Sequence, residues 1–263
     1  MRFLFLVCLG LTTSVGQQTS PTPAAGAAMS NQQKARAVLD QMIDALGGQA
    51  YLNVQDSYSE GRYGRFHNEA MVATNVFFRY WQWPDKERFE ITPQRDIVYL
   101  YLGDKEYEVI YRGSTELNPQ RDENVKQALQ RRHYTLETVL RGWLNQPGTL
   151  LLHEGSTLAE NRMAEKITII NSRNEAVTLL VSPDTHLPIK KIFTVRDPQS
   201  REHDEETEIF DSWRKVQGVN TPFNILITRN GAIVRQLFFS TVSYNNHPES
   251  SIFTPQLIKY PKK

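Results

Sequence analysis

Between Asn31 and Leu46 the apolar residues Ala35, Val38, Leu39, Met42, Ile43 and Leu46 recur every three or four positions. That spacing lays one apolar stripe along a helix, which must bury its stripe against something. Ser30 or Asn31 suits the start of this helix, and Gly47–Gly48 suits the left-handed backbone that stops it. From Ser57 to Tyr111 the pattern changes to strands, read as SYSEGRYGRF, EAMVATNVFFRYWQW, KERFEIT, DIVYLYL and KEYEVIYR. Turn signals at His67–Asn68, Trp83–Pro84–Asp85, Pro93–Gln94 and Gly103–Asp104 separate them, with no helix between, so they pair antiparallel through hairpins.

From Asp122 to Asn145 the pattern is helical again. Val125 and Leu129 share one face, and Leu136, Val139, Leu140 and Trp143 share another, before Pro147–Gly148 ends the segment. A second series of strands follows, with Asn230–Gly231 as the strongest hairpin signal. One helix, a meander, a helical pair and a second meander thus run in order. About eleven or twelve strands in one curved antiparallel sheet are expected, in a single domain over 31–263 with no repeat.

Some strands are apolar on both faces. In DIVYLYL, Val98, Leu100 and Leu102 alternate with Ile97, Tyr99 and Tyr101. A sheet with one wet face alternates apolar with polar, so such a strand needs cover on both sides or a cavity on one. In VFFRYWQWP, alternation puts Phe77, Arg79, Trp81 and Trp83 on one face. Three large rings beside a guanidinium suit an acyl-chain cavity with a head-group contact, and they suit plain core packing as well. Leu100, with Leu140 and Trp143 from the helical segment, completes the candidate lining.

The first residues, MRFLFLVCLGLTTSVGQQ, carry one basic residue, an apolar run and then the small residues Ser14 and Gly16. This is the pattern of a cleaved signal peptide over 1–16, and it implies export to the periplasm or beyond. The Gln-, Thr-, Ser-, Pro- and Ala-rich stretch 17–30 reads as a flexible spacer. Cys8 is the only cysteine and lies inside the signal, so the mature chain is expected to use no disulfide, thiol or cysteine–metal chemistry.

Net charge is +1, which gives no overall case for nucleic acid, and Arg131–Arg132 reads as a solvated helix face. Gly47–Gly48 follows a helix, whereas a phosphate-binding turn follows a strand and opens one. Gly61 and Gly64 lie inside a strand and mark a bulge or a close backbone approach. In REHDEETE, His203 with Asp204 or Glu206 is conceivable as a cation site. The run also reads as a solvated strand start, with Glu206 and Glu208 together on a wet face, and this reading is favoured. His153–Glu154 cannot be a base and its orienter if adjacent strand residues point to opposite faces. No catalytic set, metal site or cofactor motif is expected.

The order of elements, the start at Leu46-Gly47-Gly48 and the closing segment from Glu208 to Phe253, with Gly218-Val219-Asn220-Thr221-Pro222 and Asn230-Gly231, resemble the LolA-like superfamily of bacterial envelope proteins. The resemblance covers Ala35 to Pro255. It implies an α+β, mainly β fold: an unclosed half-barrel with an N-terminal helix, a helical lid and an apolar cavity. It also implies a monomeric, non-enzymatic carrier of a lipid, acyl chain or lipoprotein, with lipoproteins or membrane-bound proteins as partners. An envelope sensory or protein-interaction module with a filled core is the alternative, and a hydrolase cleft is a third reading with little support from the spacing.

Overall fold

The computed structural model describes residues 29–110, 123–197 and 201–255. The expected signal peptide over 1–16, and the spacer over 17–30 except its last two residues, lie outside the described residues.

The first helix forms where the stripe predicts it, as α1 over Asn31–Leu46. Ser30 accepts from the amide of Gln33, whose side chain accepts from the amide of Ser30, so two amides at the helix start are satisfied reciprocally. At the other end Gly47 adopts φ 132°, and a Cβ there would meet the carbonyl oxygen of Gly218 at 2.6 Å. The helix stop is therefore also a docking point. It presses onto the turn between two late strands, where Asn220 donates to the carbonyl of Ala45 at 2.6 Å. A short helix, α2 (Gln49–Leu52), then leads into the sheet.

Among the described residues twelve strands follow, within the expected eleven or twelve: β1 Asp56–His67, β2 Ala70–Gln82, β3 Lys86–Ile91, β4 Ile97–Leu102, β5 Lys105–Ile110, β6 Leu150–Ala159, β7 Arg162–Ile170, β8 Ala176–Val181, β9 Pro188–Arg196, β10 His203–Val216, β11 Val219–Arg229 and β12 Ala232–Tyr244. All pair antiparallel in one sheet of order β5-β4-β3-β2-β1-β12-β11-β10-β9-β8-β7-β6. Each meander follows chain order, and the pairing of β1 with β12 welds the two together. β5 and β6 remain as edges, so the sheet is an unclosed half-barrel and mainly β. At the seam the register shifts beside Gly61, where a Cβ would lie 1.9 Å from the oxygen of Phe238. Asn230 and Gly231 both take positive φ, 48° and 82°, as the β11–β12 hairpin requires.

The helical segment departs from the expected helix pair. α3 runs over Glu123–Arg132, followed by a wide π-type turn over Thr138–Gly142 and a tight turn over Trp143–Asn145. It packs with α1 on the inner face of β6 to β9. There Leu39, Met42, Val139, Ile167, Leu179 and Phe193 form the centre of the core. Tyr134 stacks on Phe193 with centroids 4.8 Å apart, and meets the edge of Trp143 at 5.6 Å. This half of the concave face is filled.

The outer face of β3 and β4 is covered as well. After β12 the chain turns back, with the buried carboxylate of Asp56 accepting from the amides of Asn246 and His247 at 2.6 and 3.1 Å. The turn Ser250–Phe253 then lies on β3, and Arg88 donates to the carbonyl of Ile252 at 3.0 Å. This explains the doubly apolar β4. Val98 and Leu100 are buried on the outer side, where they pair across the sheet with Glu90 and Arg88.

Candidate functional site

The other half of the concave face, over β1–β3 and β10–β12, is not filled. A cavity of about 280 Å³ lies between this part of the sheet, the end of α1 and residues 135–137 of the helical segment. Its apolar wall is built from Phe77, Phe210, Ile225, Ile227, Leu237 and Phe239. Phe77 stacks on Phe89 at 5.4 Å and meets the edge of Phe239 at 5.4 Å, which fixes the floor. Phe210 and Trp213 both face inward although strict alternation would oppose them. Ser212, at φ 56°, interrupts the extended backbone between them, and it and Phe223 opposite are the two positions without a partner in a β10–β11 register that does not shift.

The cavity is not purely apolar. Arg79 grips Glu87 with Nε to Oε1 at 3.0 Å and Nη2 to Oε2 at 3.3 Å. Burial pushes the Glu87 carboxyl up, but the charges of Arg79 and Arg132 outweigh it and hold the group below the usual carboxylate range. Lys191 is 1% exposed, pairs with Glu208 at 2.9 Å and lies 5.0 Å over the ring of Phe193. A smaller pocket of about 40 Å³ lies beside the main cavity and shares Tyr51, Arg79, Glu137, Val219 and Tyr244 with its lining. Tyr51 is buried, and its hydroxyl has no hydrogen-bond partner. Burial, and then the nearby charge of Glu137, push its pKa up, so it is a hydrogen-bond donor at any ordinary pH. Burial likewise lifts Tyr244 to about 12.

Two arginines strap α3 across this cavity in opposite directions. Arg131 clasps Glu206 of β10 with Nε at 2.7 and 2.8 Å, and Arg229 supports the same carboxylate at 3.1 Å. Arg132 reaches Glu87 of β3 at 2.6 Å, donates to the carbonyl of Asp85 at 3.0 Å and stacks over Tyr101 at 4.8 Å. Two expectations are corrected here. Arg131–Arg132 is not a solvated face, because each side chain has a carboxylate partner on the sheet. Glu206 and Glu208 do share a face, but it is the inner one. Glu206 is 3% exposed, and the pairings Glu206↔Phe193 and Glu208↔Lys191 place both toward the core. Burial is tolerated because Arg131, Arg229 and Lys191 supply the opposing charge.

Of the residues expected to line a cavity, Phe77 and Arg79 line the main one and Trp81 lines the smaller pocket. Trp83 lies in neither. It packs on the core under the guanidinium of Arg141, 3.9 Å from its centroid. Leu100 faces the opposite side of the sheet. Leu140 and Trp143 sit in the filled half of the core, and Leu136 and Glu137 of the same segment face the cavity instead. The sequence reading missed Tyr51, Glu87, Lys191 and Glu208. The period-two phase that links Glu208 to Phe210 was the one available signal for the last of these. His153 pairs with Glu165 at 2.6 Å while the adjacent Glu154 pairs with Lys166 at 2.7 Å. Among the described residues, no group of three or more His, Cys, Asp or Glu is arranged to hold a metal.

No family model and no curated protein matches the chain. Solved structures do. A DUF1329 family protein from Desulfovibrio piger superposes with a TM-score of 0.56 at 14% identity, covering 84% of this chain and 97% of that one. A LolA superfamily protein from Nitrosomonas europaea covers the same shares at 0.53 and 13%. An outer membrane lipoprotein-sorting protein domain from Vibrio parahaemolyticus does so at 0.56 and 11%. The fold is LolA-like. At these identities it is the LolA-like architecture that is shared: the open sheet and the packing of helices on its concave face.

Proposed function

We propose that this chain is an exported carrier that shelters a lipid, an acyl chain or a lipidated protein in the cavity beneath its helical segment. The single observation that carries this is the contrast between the two halves of the concave face: one filled by α1 and the helical segment, the other left as a cavity walled by Phe77, Phe210, Ile225, Ile227, Leu237 and Phe239. The LolA-like fold and the signal-like N-terminus support the same reading. The volume, about 280 Å³, lies near the small end of ligand pockets, about 300–1,000 Å³. A longer ligand therefore requires the strap of α3 to move.

The mechanism is reversible sequestration. Burying about 300 Å² of acyl chain gains about 7 kcal/mol gross at about 25 cal/mol per Å². Association costs at least about 4 kcal/mol, which leaves a grip weak enough to release. The chain is expected to act as a monomer, with a lipoprotein or a membrane surface as donor or acceptor and with no cofactor.

The test is titration of the purified chain with a fluorescent fatty acid, beside a variant whose cavity is filled by Ile227→Trp. Saturable binding to the wild type, lost in the variant at unchanged melting temperature, is the expected result. Equal signals from both would refute the cavity as the site.

A further inference from the structure

Three polar groups at the inner end of the cavity do nothing for the fold. The hydroxyl of Tyr51, a residue 6% exposed, has no hydrogen-bond partner. The Glu137 carboxylate makes no hydrogen bond or ion pair among the described residues. Arg79 holds Glu87 through Nε and Nη2, which leaves Nη1 without an acceptor among the same residues. All three residues line both the main cavity and the smaller pocket, so they gather where the two meet. Burying a hydroxyl unpaired is costly, and native proteins rarely do so without a water or ligand to complete it.

The charges around this space decide what completes it. Arg79, Lys191 and Arg235 line the cavity against Glu87, Glu137 and Glu208, so three positive charges meet three negative ones. An anionic head, such as a fatty-acid carboxylate, enters with no net attraction and against the unpaired Glu137. A cationic head is equally unaided. A neutral head that carries hydroxyls meets both needs at once: an oxygen accepts from Tyr51 and a hydroxyl donates to Glu137.

Resting on the carrier reading above, we infer that the inner end of the cavity is a subsite for the uncharged hydroxyl-bearing head of an acylglycerol. Tyr51 donates to the head, Glu137 accepts from it and Arg79 offers a second donor. The chain of the ligand then lies along Phe77, Phe210 and Leu237. Tyr51 and Glu137 thus select the head, while the apolar wall holds the tail whatever the head.

The experiment is displacement of a bound fluorescent acyl probe at neutral pH by 1-monooleoylglycerol and by oleate, which share one chain and differ in the head. Wild type, Tyr51→Phe and Glu137→Gln are compared, with the melting temperature of each ligand-free protein recorded. The wild type is expected to prefer the monoacylglycerol by about tenfold, and each variant to lose about three- to tenfold of its affinity, the range of one buried hydrogen bond. Glu137→Gln should also improve oleate. Tyr51→Phe should leave the ligand-free melting temperature unchanged or raised, since it removes an unpaired hydroxyl. If both variants bind both lipids as the wild type does, the pocket holds water alone and the head subsite is wrong while the carrier reading stands. A wild-type preference for oleate overturns the subsite equally. If the wild type binds neither lipid nor probe, both readings fall together.

Discussion

Gly61 is the residue on which the junction of the two meanders turns. Its neighbour across the seam leaves 1.9 Å for a Cβ, and the obstruction is backbone, which cannot rotate away. Gly61→Ala is expected to cost at least about 1–3 kcal/mol in urea unfolding, the range for overpacking. Gly231→Ala, whose Cβ meets nothing within 4 Å, isolates the cost of its φ of 82° as a control. Lys191 is the second such residue. Truncating its partner with Glu208→Ala strands a charge that is 1% exposed and should cost about 3 kcal/mol, whereas Lys191→Met with Glu208→Leu should recover most of it. The sequence announced Gly61 because glycine inside a strand has few explanations. It did not announce the pair, because Lys191 and Glu208 meet only through the β9–β10 register, and a charged residue in a strand reads by default as wet.

At the scale of elements the central device is α3 and its two adjacent arginines. Their targets, Glu87 on β3 and Glu206 on β10, lie on opposite arms of the curved sheet. Replacing Arg131 and Arg132 together with alanine should speed amide exchange across 123–145 by about 10- to 100-fold while β7 and β8 keep their protection, since each charge-assisted bond contributes about 1.5–3 kcal/mol. The strap also has a definite pH response. The pKa of Glu87 is lowered in the folded state, so its contribution is fully present above the unfolded value of about 4.3 and is lost as pH falls through the lower folded value. Exchange in 123–145, corrected for its intrinsic pH dependence, should therefore be flat from about pH 8 to pH 5 and rise only below about pH 4. The apolar spacing of α1 and the alternation of the strands made the elements readable. The wide turn at Thr138–Gly142 and the strap itself were not, because both follow from tertiary partners: Arg141 reaching the carbonyl of Val54 at 2.6 Å, and the carboxylates that α3 finds on the sheet.

For the whole molecule, the order of elements was enough to give an open antiparallel sheet with helices on one face. Local periodicity dictates each strand, and short turns leave hairpin pairing as the only route. Which face is concave, and which half of it is filled, depends on how far α1 and the helical segment reach. That is set by sums of side-chain volume rather than by any one motif, and it explains why Leu140 and Trp143 were read as lining when they belong to the packed half. It also explains Leu100, whose outer cover comes from a turn some 150 residues later, over Ser250–Phe253. The central claim is that the unfilled half shelters an apolar chain. The most direct measurement is mass spectrometry of organic extracts from the full chain purified out of a cell envelope without detergent. The account predicts one co-purified acyl-bearing lipid or lipidated peptide at near-equimolar amount in the wild type, and its loss in the cavity-filled Ile227→Trp protein. Wild-type protein that is consistently free of lipid, and that also takes up no fluorescent fatty acid, would contradict it.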